Sequence, residues 1–260
     1  MTMAGPFRLG VQIQPQHATY DDIRRAVLRA EDMGVDVVYN WDHFFPLSGD
    51  SNGAHFECWT MLGSWAEMTE RVEIGALVTC NSYRNPELLA DMARTVDHMS
   101  GGRLILGIGA GWFERDYREY GYDFKTAGGR LTDLRDALGR IETRLEKLNP
   151  APTRDIPILI GGGGEKRTLR YTARHADIWH GYGKPEVIRH KNAVLDEWCA
   201  TEGTDPAAIE RSAGIDIGSI HLADDYAAAG VTQITVGLTG PEYDMSRLGA
   251  WLAWRDERNA

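Results

Sequence analysis

The stretch of sequence that decides the fold is residues 95–112, which read TVDHMSGGRLILGIGAGW. Its first part closes an amphipathic helix that begins at Asn85-Pro86, since proline suits the first position of a helix. The glycine pair at 101–102 ends this helix, and residues 104–108 form a short apolar run typical of a buried strand. A helix that leads through a tight turn into a buried strand is the repeating unit of an α/β protein with parallel strands.

The same alternation repeats along the rest of the chain. Apolar runs typical of strands lie at residues 7–13, 35–39, 72–78, 156–160, 177–180, 212–217 and 233–236, with helical spacing between them. Together with residues 104–108 they make eight strands, and about 250 residues is the usual size of a (β/α)8 TIM barrel. A doubly wound parallel sheet is the alternative that periodicity leaves open. No linker rich in proline, serine or charge interrupts the chain, so we expect one domain over residues 1–260.

The composition limits the kinds of partner. The 260 residues carry 28 Lys plus Arg against 38 Asp plus Glu, a formal net charge of −10. An acidic surface repels phosphodiester backbones, so we expect no nucleic-acid partner. No apolar run approaches the roughly 18 residues of a membrane span, and the first residues lack the pattern of a signal peptide, so we expect a cytoplasmic protein without a membrane partner. The three cysteines are scattered and form no C-x-x-C pair, so we expect no disulfide framework.

Unusual residues gather where each predicted strand ends. The second strand runs into Asn40-Trp41-Asp42-His43, the third into residues 79–84, and the fourth into Gly109-Ala110-Gly111-Trp112. In a TIM barrel these ends meet at one rim, where the active sites of such enzymes lie. Amides, aromatics and glycines in this arrangement indicate a flat, partly apolar ligand that carries a phosphate.

The four glycines Gly161, Gly162, Gly163 and Gly164 form the most interpretable motif. They join the predicted fifth strand to a helix predicted to begin at residue 165. Glycines let backbone N–H groups approach an anion closely, and the N-terminus of a helix adds positive potential, so we predict a phosphate site. The alternative is a flexible turn between strand and helix. The motif is not a Walker loop, because no Lys-Ser or Lys-Thr follows at the required spacing.

Asp42-His43 is a candidate acid/base pair, because a histidine imidazole titrates near neutral pH. A capping aspartate beside a packed imidazole is an equal alternative. The histidines show neither the H-x-H nor the H-E-x-x-H spacing of zinc ligands, so we predict no metal site. No G-x-S-x-G elbow indicates serine hydrolase chemistry either.

Three segments together resemble a known family. Residues 84–112 look like the central signature of the bacterial luciferase-like superfamily. Residues 157–164, PILIGGGG, followed by residues 173–179, ARHADIW, are similar to its second signature, and Asp42-His43 is a third point of agreement. Within that superfamily the chain most resembles the probable F420-dependent oxidoreductases of actinobacteria.

The resemblance implies a (β/α)8 barrel that binds coenzyme F420, a deazaflavin, or alternatively FMN at its rim. It implies that Asp42 contacts the cofactor, that His43 transfers a proton or orients the substrate, and that residues 161–164 hold the phosphate. Several deazaflavin members carry a non-proline cis peptide in the third strand. Alignment maps this bond to Ala76-Leu77, with Thr79 near the ring edge. The glycine spacing at the end of the fourth strand, Gly109-Ala110-Gly111, would also let a planar ligand lie against the backbone.

Two positions depart from the family pattern. Trp112 stands where the F420-dependent glucose-6-phosphate dehydrogenases have a glutamate that acts as general acid. Leu47 stands where a tryptophan usually follows the Asp-His pair. Sugar-phosphate chemistry is therefore not expected.

The resemblance predicts an oxidoreductase that transfers a hydride between F420 and an unidentified small organic substrate. One alternative is an FMN-dependent luciferase-like monooxygenase, which needs oxygen and a reductase partner. The other is a flavin- or deazaflavin-binding protein without turnover. Members of the family often dimerise through outer helices, so we expect a homodimer in which helix 86–99 takes part.

Overall fold

Strands and helices alternate along the computed structural model, which describes residues 6–260. The strands are β1 (Arg8–Ile13), β2 (Val37–Asn40), β3 (Glu73–Ala76), β4 (Thr79–Cys80), β5 (Leu104–Gly109), β6 (Ile158–Gly161), β7 (Ile178–Tyr182), β8 (Glu210–Ile215) and β9 (Gln233–Leu238). The helices are α1 (Tyr20–Met33), α2 (Cys58–Met68), α3 (Pro86–Ser100), α4 (Glu114–Tyr120), α5 (Ala127–Leu145), α6 (Thr168–His175), α7 (Pro185–Glu202), α8 (Ala223–Ala228) and α9 (Leu248–Asn259). Every pairing between these strands is parallel.

The strands close into a barrel. Hydrogen-bonded neighbours follow the order β3-β2-β1-β9-β8-β7-β6-β5-β4, and β3 also pairs with β5, which joins the two ends of the sheet. Since β3 and β4 are two pieces of one barrel strand, the barrel has eight strand positions. The predicted (β/α)8 barrel is confirmed. The doubly wound alternative is wrong, because a doubly wound sheet stays open at both edges.

The third barrel strand is interrupted where the sequence predicts one continuous run. β3 pairs regularly with β2 through Ala76, and the N–H of Leu77 still donates to the carbonyl of Asn40 at 2.8 Å. The non-proline cis peptide lies between Leu77 and Val78, so its predicted position at Ala76-Leu77 is wrong by one residue. Regular pairing with β2 extends as far as the Leu77 nitrogen, and the cis bond lies immediately after that residue.

Local capping interactions explain where the helices begin and end. Thr19 and Asp22 form a reciprocal capping box at the start of α1, and Gly34 ends that helix in the left-handed region at φ 99°. The helix predicted to begin at residue 165 starts instead at Thr168, because residues 165–167 form a turn. The glycine run is therefore separated from its helix by one further turn.

Charged side chains close the barrel at the N-terminal ends of the strands. Arg8 of β1 forms ion pairs with Glu73 of β3 and with Glu210 of β8, the latter at 2.9 Å. Burial acts to lower the pKa of Arg8, but attraction to Glu210 and Glu73 outweighs it and raises that pKa. An apolar layer fills the interior, and it consists of Val37, Tyr39, Leu77, Ile105, Leu159 and Ile178. The interior is thus filled from below, and open space remains at the opposite rim.

The apolar faces of the helices pack around the barrel and form the main core. α3 keeps Leu88 and Met99 exposed on its outer side, and the homodimer expected through this helix stays a prediction.

No helix among the described residues is long and apolar enough to cross a membrane. The single domain over residues 1–260 also stays a prediction. Residues 1–5, on which the expectation of no signal peptide partly rests, lie outside the described residues.

Gly107 of β5 has no space for a side chain. A Cβ there would lie 1.9 Å from the backbone oxygen of Ala76, which has no rotamer to move into. We expect Gly107→Ala to lower the free energy of unfolding by about 3 kcal/mol, as overpacking does at its upper range. Gly139→Ala in α5 is the matched control, because no atom lies within 4 Å of its Cβ and alanine favours the helix. Urea unfolding measures both variants, and wild-type stability of Gly107→Ala would contradict this close approach.

Candidate active site

A cavity of about 570 Å³ opens at the rim where the strands end. Its volume lies within the roughly 300–1,000 Å³ typical of small-molecule sites. The predicted site residues that line it are Asp42, His43, Leu77, Thr79, Gly109, Ala110, Gly111, Gly161 and Gly162. Ala76 is buried in β3, Gly163 and Gly164 are exposed, and none of these three lines the cavity.

Val78 is a wall residue that the sequence analysis missed. A Cβ added to Gly109 would lie 2.7 Å from Cγ2 of Val78, and a Cβ added to Gly161 would lie 2.9 Å from Cγ1. The glycines of β5 and β6 therefore make room for this valine side chain as well as for any ligand. The glycine backbone and the side chain of Val78 together form a flat, partly apolar wall.

The glycine loop after β6 is held by bonds to β7. Gly162 takes φ 125°, a conformation that favours glycine, and its N–H donates to the carbonyl of His180 at 3.0 Å. Thr168, the first residue of α6, also lines the cavity, and sequence analysis missed it because the helix was predicted to begin earlier. A hydroxyl and a helix N-terminus thus lie at the cavity edge. The phosphate role of residues 161–164 stays a prediction.

Asp42 and His43 have different hydrogen-bond partners. The carboxylate of Asp42 binds Arg84, with oxygen–nitrogen distances of 2.6 and 3.0 Å, and accepts from the N–H of Cys80 at 2.9 Å. Burial raises the pKa of Asp42, and the attraction of Arg84 opposes that rise. Arg84 also bonds Glu57 at 2.8 Å. The carboxylate of Asp42 is therefore largely occupied inside the protein, and its contact with a cofactor stays a prediction.

The partner of His43 is Asp116. Nδ1 of His43 lies 2.7 Å from Oδ2 of Asp116, and Asp116 is completely buried. Asp116 also accepts from the N–H of Phe44 at 3.1 Å and from the hydroxyl of Tyr83 at 3.0 Å. Three donors thus fix the carboxylate, and the carboxylate fixes the imidazole. Asp116 lies in α4, and no spacing in the sequence connects it to His43.

Aromatic rings surround His43 on the cavity side. Trp41, Trp112 and Phe113 all lie edge-on to the imidazole, with ring centroids 6.1, 5.7 and 5.5 Å away. Trp112 is 63% exposed and forms part of the rim. No lysine or arginine is among the described residues that line the cavity, and no group of three potential metal ligands occurs in residues 6–260. The part of the cavity around His43 therefore suits an uncharged, partly apolar group.

Comparison with known proteins identifies the family of the chain. A family model described as luciferase-like monooxygenase matches residues 1–233. The chain belongs to the luciferase-like monooxygenase family, as its sequence signatures predict. A putative coenzyme F420-dependent oxidoreductase of Mycobacterium tuberculosis is 30% identical over 233 residues, covering 78% of this chain and 63% of the relative. An F420-dependent glucose-6-phosphate dehydrogenase of Amycolatopsis mediterranei is 28% identical over 173 residues, covering 60% of this chain and 51% of the relative.

Two solved structures have the same fold. An F420-dependent secondary alcohol dehydrogenase in complex with an F420-acetone adduct gives a TM-score of 0.83 at 17% identity, covering 94% of this chain and 99% of that chain. The coenzyme F420-dependent tetrahydromethanopterin reductase from Methanopyrus kandleri gives a TM-score of 0.75 at 17% identity, covering 94% and 98%. The predicted resemblance to luciferase-like F420-dependent oxidoreductases is thus confirmed. At these identities the structures show the fold alone.

Two histidines near the cavity, the half-buried His55 and the buried His180, stay uncharged at neutral pH. Burial lowers the pKa of His55 to about 4 and the pKa of His180 to about 3. A histidine in the unfolded chain takes up its proton near pH ~6.5, so below that pH the unfolded state binds more protons than the folded state. The contribution of each histidine to the free energy of unfolding is therefore fully present above that pH. As the pH falls toward the pKa of the folded state, this contribution decreases by up to about 1.4 kcal/mol per pH unit.

We expect His55→Gln to reduce the pH dependence of stability between about pH 6 and pH 5 by up to ~1.4 kcal/mol per unit. Glutamine retains an acceptor for the indole N–H of Trp41, which now donates to Nε2 of His55 at 3.0 Å. Urea unfolding at several pH values measures the slope, with the exposed His221→Gln as control. The same slope in His55→Gln as in the wild type would show that His55 is not held neutral by burial.

Proposed function

We propose that the protein is an oxidoreductase that transfers a hydride between coenzyme F420 and an uncharged small organic substrate. The observation that carries the proposal is His43, held by the buried carboxylate of Asp116 beside a rim cavity whose other wall is largely glycine backbone. The names of the relatives, and of the structures with the same fold, support F420 as the cofactor.

The residues around the cavity fit a deazaflavin. Val78, packed over the glycines of β5 and β6, would offer a flat apolar surface for a planar ring, and Leu77 lines the same cavity. The turn at Gly162 and the hydroxyl of Thr168 would hold the phosphate at the start of α6. When bound, F420 would supply a ring carbon that accepts or gives the hydride. His180 lines the same cavity, and one of its ring nitrogens is buried without a partner among the described residues.

The protein's own part in the reaction is to hold and move a proton at His43. A carboxylate only accepts hydrogen bonds, so the contact with Asp116 places the imidazole proton on Nδ1. Nε2 is then the acceptor available to the cavity. A substrate hydroxyl that is being oxidised gives its proton to Nε2, and a carbonyl that is being reduced receives it back. The buried negative charge of Asp116 stabilises the imidazolium formed in between.

The cavity favours a substrate without charge. Trp112 stands where the resemblance places an acidic residue, and it forms an apolar rim beside His43. No described lining residue is a lysine or arginine that would bind the phosphate of a substrate. A small alcohol or ketone with an apolar side meets these conditions. The acetone adduct in the name of the secondary alcohol dehydrogenase with the same fold supports this class.

An FMN-dependent monooxygenase is the second candidate. The description of the family model favours it, since that family is named for monooxygenases. FMN carries a planar ring and a phosphate, so the same apolar wall and glycine turn would bind it. Retained binding without any turnover would instead point to a cofactor-binding protein.

We expect F420 to bind at micromolar or lower concentration and FMN to bind at least about tenfold more weakly, a difference of ~1.4 kcal/mol. Fluorescence titration of purified protein with oxidised F420 and with FMN, side by side, measures both dissociation constants. A preference for FMN would overturn the proposal and move the search to oxygen chemistry.

We expect His43→Asn to lower kcat/KM for alcohol oxidation by roughly 100- to 10,000-fold, the usual contribution of a general acid/base. Asp116→Asn should lower it as well, because an amide no longer fixes the Nδ1–H form of His43. Glu119→Gln, an exposed acid on the same helix α4, is the matched control and should behave as wild type. Steady-state kinetics and F420 titration are run on all three variants. Full activity in His43→Asn with unchanged F420 binding would exclude the proton role.

A further inference from the structure

His180 has one ring nitrogen bound and the other without a protein partner. The residue lies in β7, is 1% exposed and lines the cavity. Its Nδ1 lies 2.8 Å from Oγ of Ser212 on the neighbouring strand β8. Its Nε2 is buried and makes no hydrogen bond to any described residue. Since buried polar atoms are nearly always bonded, an unpartnered nitrogen in a cavity wall indicates that a ligand atom completes it.

Ser212 decides which of the two nitrogens carries the proton. The serine is completely buried, and Nδ1 of His180 is the acceptor within reach of its hydroxyl among the described residues. If Nδ1 donated to Oγ, both the hydroxyl proton of Ser212 and the acceptor lone pair of Nε2 would be left unsatisfied, whereas a proton on Nε2 leaves only that one group without a partner. The serine therefore donates to Nδ1, and the ring proton lies on Nε2. Nε2–H is then a donor without an acceptor in the protein.

The donor is held in a fixed place beside the glycine turn. The carbonyl of His180 accepts from the N–H of Gly162 at 3.0 Å, and the indole of the preceding Trp179 donates to the carbonyl of Gly162 at 2.9 Å. The ring of Tyr182 packs edge-on against the imidazole with centroids 4.9 Å apart. Burial also keeps the imidazole uncharged, because it lowers the pKa of His180 to about 3. A rigid, uncharged donor suits an acceptor oxygen that lies close to Gly162.

We propose that Nε2–H of His180 donates a hydrogen bond to an oxygen of the cofactor bound in this cavity. Ser212 is then the positioning residue that keeps the ring proton on Nε2, which is the donor form of His180. The identity of the ligand rests on the proposed function, and the oxygen belongs to the phosphate or to the hydroxyl-bearing chain next to the Gly162 turn. The donor form itself does not depend on which ligand binds.

Nitrogen-15 NMR of the ring nitrogens tests the donor form in the free protein near neutral pH. We expect His180, assigned by its loss in His180→Gln, to be neutral with the proton on Nε2. Ser212→Ala should shift the ring toward a mixture of the two neutral forms. A proton on Nδ1 of His180 in the wild type would overturn the proposal, whatever the protein binds.

Two isosteric variants test the ligand contact. An asparagine amide at position 180 reaches the place of Nδ1 and retains the bond to Ser212, whereas a glutamine amide reaches the place of Nε2. We expect His180→Asn to weaken F420 binding roughly 3- to 10-fold, the effect of one neutral hydrogen bond, and His180→Gln to retain most of the affinity. Thermal unfolding verifies that both variants fold. Equal affinity of His180→Asn and wild type would mean that a water molecule satisfies Nε2, and it would overturn the proposed contact.

The deazaflavin core without phosphate and tail serves as a second probe. A loss in His180→Asn for F420 alone would assign the acceptor oxygen to the phosphate, and an equal loss for both probes would assign it to the chain or ring. Failure of the wild type to bind F420 would sink the proposed function and the cofactor contact together. The NMR result for the donor form would still stand or fall separately, so the two failures are distinguishable.

Discussion

The third barrel strand approaches β5 so closely that a side chain at Gly107 would touch the backbone oxygen of Ala76 at 1.9 Å. This contact lies where β3 joins β5 and closes the sheet into a barrel. Further along the same strand, the side chain of Val78 occupies the space that side chains at Gly109 and Gly161 would take. The flat wall of the cavity is the direct result, because backbone and one branched side chain replace what would otherwise be protruding groups. The room for a planar ligand therefore depends on how the strands meet.

Charged side chains at both ends of the barrel are paired within the protein, so few of them are free to contact a ligand. At the lower end of the barrel Arg8 is neutralised by Glu73 and Glu210. At the rim Asp42 is paired with Arg84, and the carboxylate of Asp116 lies behind His43. Arg8 and Arg84 thus have their carboxylate partners within the protein, and partly buried ion pairs of this kind are weakened little by salt. The groups left for the ligand are uncharged donors and acceptors, so recognition depends on their placement.

Features that are local in the sequence could be predicted, and features that depend on contacts between distant segments could not. Capping at Thr19, the glycine stops and the alternation of strand and helix each depend on a few neighbouring residues, so the barrel could be predicted from them. The family was predicted from the resemblance of residues 84–112 and 157–179 to known signatures. Asp116 lies 73 residues from His43 and is brought to it by α4, a short helix without a diagnostic pattern. The partner of Asp42 was missed for the same reason. The cis bond lies one residue beyond its predicted position, and no local pattern in the sequence marks where the regular pairing with β2 ends.

The filled lower end of the barrel has a consequence for the order of events. Since the Arg8 cluster and the apolar layer above it occupy the interior, the cavity has its mouth at the rim beside Trp112 and Tyr182. On the proposed function, F420 and the substrate would share this mouth on their way to His43. The cofactor, lying against Val78 and Gly161, would bind first and leave last, and the substrate would bind above it. A barrel that is filled at its base would thus favour an ordered rather than a random sequence of binding.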